Sequence, residues 1–276
     1  MRRNKTQYKK SINTSIFTPT LKTLVILVGL SLLTLQADAK RFKKLFNGKT
    51  LEGWTAARSL GEGDWGNFSV NRKEKAIHVY AGETHGSRQE TDCLNTITEF
   101  SHYILKLEYK WLEKRFDPRV DWDRDAGLLF HVHGDRKKVW PWCIEMQIGE
   151  SPADKTEKRR FHTGDLFVLG DHIQVKAHHT DGWYDPNGDI AEPRALRTKL
   201  GVEKPKGKWN KMEIHVHGSK KATFILNGEV VLEIFDFVQK ADDGSTSPLE
   251  IGSIGLQAEF AELLYRKIRI KELPSE

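Results

Sequence analysis

The sequence predicts an all-β fold, an antiparallel sandwich or barrel. Three observations carry that expectation: apolar residues recur at every second position, helical periodicity is nearly absent, and turn signals separate many short segments. Tyr103, Leu105, Leu107, Tyr109 and Trp111 alternate with Lys106, Glu108 and Lys110, the pattern of a half-buried strand. Met212, Ile214 and Val216 alternate in the same way with Glu213, His215 and His217. Phe224, Ile225 and Leu226 run into Asn227-Gly228 and out through Val230, Val231 and Leu232. Asn-Gly supplies the two positive φ angles of a type I′ turn, so a hairpin is expected there. Further strands are expected at 76–80, 127–133, 142–148, 166–169, 173–177, 254–258 and 265–272. Residues 112–125, 150–163 and 178–208 are rich in charge, Pro and Gly and read as loops over the sheets. Asn47-Gly48 reads as a turn, with Trp54 in the core.

A chain of 276 residues, 38% hydrophobic and 30% charged, is long enough for a large core and is neither disordered, collagenous nor a multi-span membrane protein. Its 44 Lys+Arg against 38 Asp+Glu give a formal charge of +6, which suggests nucleic acid until the charge is located. Residues 1–39 hold six Lys/Arg and one acid, so the remainder carries only about +1. A nucleic-acid partner is thereby excluded. The same 39 residues join a basic start, an apolar run from Leu24 to Leu35 and Ala37-Asp38-Ala39, and are expected to be a secretory signal peptide. The apolar run is shorter than the ~20 residues that span a bilayer, so no integral membrane span is expected after cleavage. Residues 40–276 are then expected to form a single secreted or periplasmic domain of unspecified oligomeric state. Cys93 and Cys143 can pair in such a compartment or remain two buried thiols, and the sequence leaves both open. Asp117, Asp121, Asp123 and Asp125 read as a solvated loop rather than a calcium site. His-x-His occurs at 131/133 and at 215/217, but no third ligand is specified for either pair, so no metal and no cofactor is expected.

The segment 127–148 is the most informative. Leu128, Phe130 and Val132 alternate with Leu129, His131 and His133, and Ile144, Met146 and Ile148 alternate with Cys143, Glu145 and Gln147. Both strands are expected to bury their even positions. A hairpin register pairing His131 with Glu145 and Leu129 with Gln147 brings the polar odd positions onto one face, and a slip by one residue buries them. A carboxylate beside an imidazole is equipment for acid/base chemistry near neutral pH. The same groups can grip a sugar, with Trp140 or Trp142 stacking on its apolar face. At this level catalysis and binding stay level.

Several blocks together resemble a known family: LFNGKTLEGW at 45–54, AGLLFHVHG at 126–134, VWPWCIEMQIGE at 139–150, TGDLFVLG at 163–170, KWNKMEIHVHG at 208–218, LNGEVV at 226–231 and IGLQAEFAELLYRKIRIKEL at 254–273. They are similar, in order, to the 3-keto-disaccharide hydrolase domain, also described as 3-keto-α-glucoside 1,2-lyase/3-keto-2-hydroxyglucal hydratase. The resemblance implies a concanavalin A-like or laminin G-like jelly-roll β-sandwich, exported by glycan-degrading bacteria, whose substrate is a sugar or glycan oxidised at carbon 3. It implies Glu145 and Gln147 as the family's E-x-Q element, Gly164-Asp165 as its G-D step and Trp140 on its W-P turn. The family often has Arg where this chain has His131. On this basis Glu145 and His131 are the expected acid/base pair, Gln147, His133 and Asp165 the expected sugar ligands, and Trp140 the stacking platform. A lectin-like binding module and a laminin G-type interaction domain are the rivals, since such sandwiches host all three.

Overall fold

The structure, a computed structural model, describes residues 41–150, 161–198 and 202–275. The expected signal peptide and most of the loop expected at 150–163 lie outside the described residues. Among them there are strands and turns but no helix, and hence none long and apolar enough to cross a membrane. Two antiparallel sheets face one another as a jelly-roll sandwich. The larger runs in the order Trp183–Tyr184, Ile173–Thr180, Glu229–Lys240, Lys221–Leu226, Asn210–His217, His102–Arg115, Ala261–Glu272, Ala76–Val79, Phe68–Asn71. The smaller runs Ala195–Leu196, Leu166–Leu169, Trp142–Gly149, Asp125–His133, Ser253–Ala258, Asp92–Thr96, Trp54–Ala56.

Alternation explains the layers. Tyr103, Leu105, Leu107, Tyr109 and Trp111 are all buried between the sheets, as are Met212, Ile214 and Val216 on the neighbouring strand. From the smaller sheet Leu128, Phe130, Ile144, Met146, Ile148, Leu256 and Ala258 meet them. Asn227 and Gly228 adopt φ of 52° and 96° and close the expected hairpin. Trp54 is buried, and its indole N–H donates to the Leu45 carbonyl at 2.7 Å.

The chain crosses between sheets repeatedly, and those crossings position the polar chemistry. Asp92–Thr96 lies in the small sheet and His102–Arg115, next in sequence, in the large one; Ser253–Ala258 and Ala261–Glu272 repeat that step. The smaller sheet therefore has one face on the core and another turned away from it. An apolar patch of Ala57, Cys93, Leu129, Val132 and Cys143 covers part of that outer face. Both cysteines are buried free thiols. Beyond that patch the outer face carries Glu145 and Gln147, with Phe167 beside Glu145.

Two expected loops, 178–208 and 112–125, are corrected: the first contains the end of Ile173–Thr180 and the short strands Trp183–Tyr184, Asp189–Ala191 and Ala195–Leu196, because its charged residues lie on edge strands. The strand expected to end at Trp111 continues to Arg115, and Asp125 is not solvated: it begins the strand Asp125–His133 and is buried.

Candidate active site

Glu145 and Gln147 project together from the outer face of Trp142–Gly149, because Ile144, Met146 and Ile148 take the core positions. Their register partners are Leu129 and Gly127, two residues from the pairing expected for the hairpin, which keeps the parity and hence the face. Glu145, Gln147, Asp125, Glu259, Arg119, Trp140, Phe161, Phe167 and Leu169 line a cleft with about 160 Å³ of internal space. That is below the ~300–1,000 Å³ of pockets for drug-sized ligands, and suits one small ring.

The cleft is lined by both charged and aromatic side chains. Gln147 Nε2 donates to the Asp125 carboxylate and, at 2.9 Å, to the Ala126 carbonyl, so this amide orients Asp125. Arg119 Nη1 lies 2.8 Å from Glu259 Oε2 and 3.3 Å from Asp125 Oδ2, and its guanidinium packs over the rings of Trp122 and Phe260. Among the described residues no hydrogen bond or ion pair reaches the Glu145 carboxyl, which is buried but open to the cleft. Burial, reinforced by the negative charge of Asp125, pushes Glu145 well above the usual carboxylate range. Glu259 is pushed the same way by burial and by Asp125 and Glu145, with Arg119 opposing. The rings of Phe161 and Phe167 and the half-exposed Trp140 complete the lining, Phe167 as the register partner of Glu145 on the neighbouring strand.

His131 is not brought to this cleft. The ladder with Trp142–Gly149 shifts register between Phe130 and His133, and His131 takes φ of 49°, so a β-bulge reverses the alternation. Val132 consequently joins the outer apolar patch, and the His131 ring turns between the sheets, 5.4 Å from Phe130 and 5.9 Å from Phe237. Its Nε2 meets the Gly218 carbonyl at 3.0 Å, while Nδ1 has no partner. Burial pushes this imidazole down to about 4. The expected His131–Glu145 pair is therefore absent, because period-two reasoning assumes an unbroken strand. The position where the family often carries Arg faces the core here, and the cation lining the cleft is Arg119.

Asp165 and His133 are also placed away from Glu145. The Asp165 carboxylate accepts the backbone N–H groups of His162 and Thr198, each at 2.8 Å, and so caps the local turn. It lines a separate hollow with Phe161, Phe167 and Arg197. His133 donates through Nδ1 to the His131 carbonyl at 2.8 Å and faces His172.

Four residues at or against the cleft were not anticipated: Arg119, Asp125, Gln257 and Glu259. Gln257 and Glu259 repeat, in reverse, the E-x-Q spacing of Glu145 and Gln147, a signal legible in the sequence. Nothing in the local pattern marks Arg119 or separates Asp125 from its acidic neighbours. Gln257 is fully buried with both amide atoms unpartnered. A Cβ built on Gly127 would lie 2.1 Å from Glu145 Oε1 and 2.2 Å from Gln257 Oε1, so both side chains converge over that glycine.

Among solved structures the chain is similar to a Parabacteroides distasonis ATCC 8503 protein provisionally named a glycosyl hydrolase, at 16% identity and TM-score 0.51, covering 84% of this chain and 94% of that one. A second crystal structure of that description from the same organism matches at 20% identity and TM-score 0.51, covering 85% and 100%. At these identities the likeness concerns the fold. No curated protein matches the sequence. The family profile described as the 3-keto-alpha-glucoside-1,2-lyase-like domain matches residues 41–271, nearly all of the described chain, and the protein belongs to that family.

Proposed function

We propose that the protein is an exported enzyme that cleaves glycosides oxidised to a ketone at sugar carbon 3, hydrates the resulting 3-keto-2-hydroxyglucal, or does both. Family membership supports the substrate class. The observation that carries the reading is the Glu145 carboxyl: buried, open to a ring-sized cleft, free of partners among the described residues, and raised well above the usual carboxylate range by burial and by Asp125. A base for carbon 2 needs that combination, because an ordinary solvated carboxylate is too weak a base near neutral pH.

The ketone acidifies the carbon 2 proton. Glu145 takes it, the C2–H electron pair moves toward the ketone oxygen as an enolate, and the enolate expels the aglycone from carbon 1. The departing oxygen takes a proton, either the one Glu145 has just accepted or one from water, so that the aglycone leaves as an alcohol, and water adding across the enone restores the sugar. Arg119 is the cation beside the cleft and supports the developing enolate charge. Trp140 and the two Phe rings hold the apolar faces of the sugar, while Gln147 keeps Asp125 in place. His131, His133 and Asp165 take no part in proton transfer in this scheme, since their polar atoms face elsewhere.

The test incubates the purified protein with a 3-keto-glucoside and with the unoxidised glucoside, following aglycone release and a transient enone by absorbance. Turnover of the keto compound is expected, and Glu145→Gln lowers it by about 10²–10⁴-fold with the fold intact. Release from the unoxidised glucoside would instead assign two-carboxylate hydrolysis by Glu145 and Glu259. Glycan binding without turnover, equal in Glu145→Gln, would make the protein a lectin and overturn the reading.

A further inference from the structure

A second constellation lies along the same sheet, outside the cleft. His133 Nε2 and His172 Nε2 are 2.9 Å apart. His133 sits opposite Trp142 where the bulge ends, and His172 occupies the turn carrying the chain from Leu166–Leu169 in one sheet to Ile173–Thr180 in the other. The two imidazole rings stand nearly perpendicular, at 80°, and Trp142 flanks them with ring centroids 4.4 Å from His172 and 6.0 Å from His133.

The hydrogen bonding fixes which nitrogen of His133 is available. Its Nδ1 lies 2.8 Å from the His131 carbonyl oxygen, which can only accept, so Nδ1 carries the proton. The neutral ring then has its lone pair on Nε2, aimed at His172. Anchoring one ring nitrogen on a backbone carbonyl while the other faces outward is the arrangement metal-ligating histidines adopt.

We propose that His133 and His172 form a two-histidine binding site for a divalent transition-metal ion that prefers ligands at right angles. The spacing decides the class of ion. Two nitrogens bound at 2.0–2.1 Å stand ~2.9 Å apart when the angle at the metal is about 90°, and ~3.3 Å apart when it is tetrahedral. The observed separation is that of a hydrogen bond between the rings and coincides with the first case, so an ion can replace the shared proton with little movement of either nitrogen. Square-planar or octahedral Cu²⁺ and Ni²⁺ suit it, and tetrahedral Zn²⁺ suits it less. Binding needs one tautomeric change: the His172 proton moves from Nε2 to Nδ1, so both rings stay neutral and no proton is released. Among the described residues no group of three or more His, Cys, Asp or Glu side chains is placed to hold a metal, so water completes the coordination. The site is independent of the chemistry assigned to Glu145.

Calorimetric titration of NiCl₂, CuCl₂ and ZnCl₂ into the purified chain, free of any histidine tag, tests this. One ion per chain is expected, tightest for Cu²⁺, with Ni²⁺ ahead of Zn²⁺. His133→Ala and His172→Ala each weaken Ni²⁺ binding more than about tenfold, whereas His215→Ala, at the unrelated His-x-His, leaves it unchanged. Cu²⁺ is also expected to quench Trp142 emission, a component absent from Trp142→Phe. His172 lies on a partly exposed turn, so His172→Ala tests the site even where His133→Ala disturbs the bulge. No binding at unit stoichiometry, or Ni²⁺ affinity unchanged in His172→Ala, overturns the proposal.

Discussion

At the scale of single residues, Gly127 shows how the candidate site depends on an atom that is missing. Any Cβ there collides with Glu145 Oε1 and Gln257 Oε1, and also lies 2.7 Å from Glu145 Cδ. Both side chains are buried, so yielding to a Cβ moves the Glu145 carboxyl out toward the cleft. Gly127→Ala is expected to destabilise the fold by about 1–3 kcal/mol through overpacking. It also displaces the Glu145 carboxyl, and a shift on the order of 1 Å lowers turnover of a 3-keto-glucoside ~10²-fold; wild-type turnover in this variant would show that the carboxyl's seat is unimportant. Trp140 gives the complementary case. It is half-exposed and lines the cleft, and in the proposed scheme it acts by stacking alone, so Trp140→Ala should raise KM roughly three- to tenfold, about 0.5–1.5 kcal/mol, with kcat nearly unchanged. Glu145→Gln couples the two themes of function and strain. Because the folded-state carboxyl is raised above its ordinary 4.5, its ionisation opposes folding increasingly as pH rises past 4.5. The amide variant should therefore lose activity yet melt at a higher temperature than wild type near neutral pH, with the gap closing as pH falls toward 4.5.

At the scale of elements, the strand Asp125–His133 marks where sequence reasoning succeeds and where it stops. Alternation placed Leu128 and Phe130 in the core and Glu145 and Gln147 on the opposite face, and the structure agrees, because a half-buried strand has only two faces. The Asn227-Gly228 hairpin was legible for a local reason: two positive φ angles need those residue types. The bulge was not. His131 adopts positive φ without being Gly, Asn or Asp, and what holds it there is tertiary: the Gly218 carbonyl in the turn after Asn210–His217, the Phe237 ring, and Gly252, whose Cβ would lie 2.6 Å from the His131 Cα. Arg119 is illegible for the same kind of reason. Its place beside Glu259 joins a loop to the end of Ser253–Ala258, 140 residues later, and no local pattern encodes that distance. Glu259 itself was within reach, since Gln257 and Glu259 share the two-residue spacing of Glu145 and Gln147, with Glu259 directly after a strand already expected at 254–258.

At the scale of the whole molecule, the sandwich carries buried ionisable groups whose effects on stability have opposite signs. Glu145 and Glu259, raised by burial, favour the folded state at low pH and oppose it as pH rises through their folded values. His131, lowered from 6.5 to about 4, does the reverse. Between these values the unfolded chain binds the extra proton, so stability falls as pH drops through 6.5 toward 4, by roughly 3 kcal/mol when the window is fully crossed. A single pH–stability curve mixes the two trends, and a difference between two proteins separates them. His131→Gln can keep a donor for the Gly218 carbonyl but cannot titrate, while the carboxylates are common to both chains. Urea denaturation of each from pH 8 to pH 4 is therefore expected to give a wild-type minus variant stability that is flat above pH 6.5 and declines steadily below it. A difference that stays flat to pH 4 would mean the imidazole reaches solvent or finds a partner for its Nδ1, and that the two sheets are not closed over the bulge.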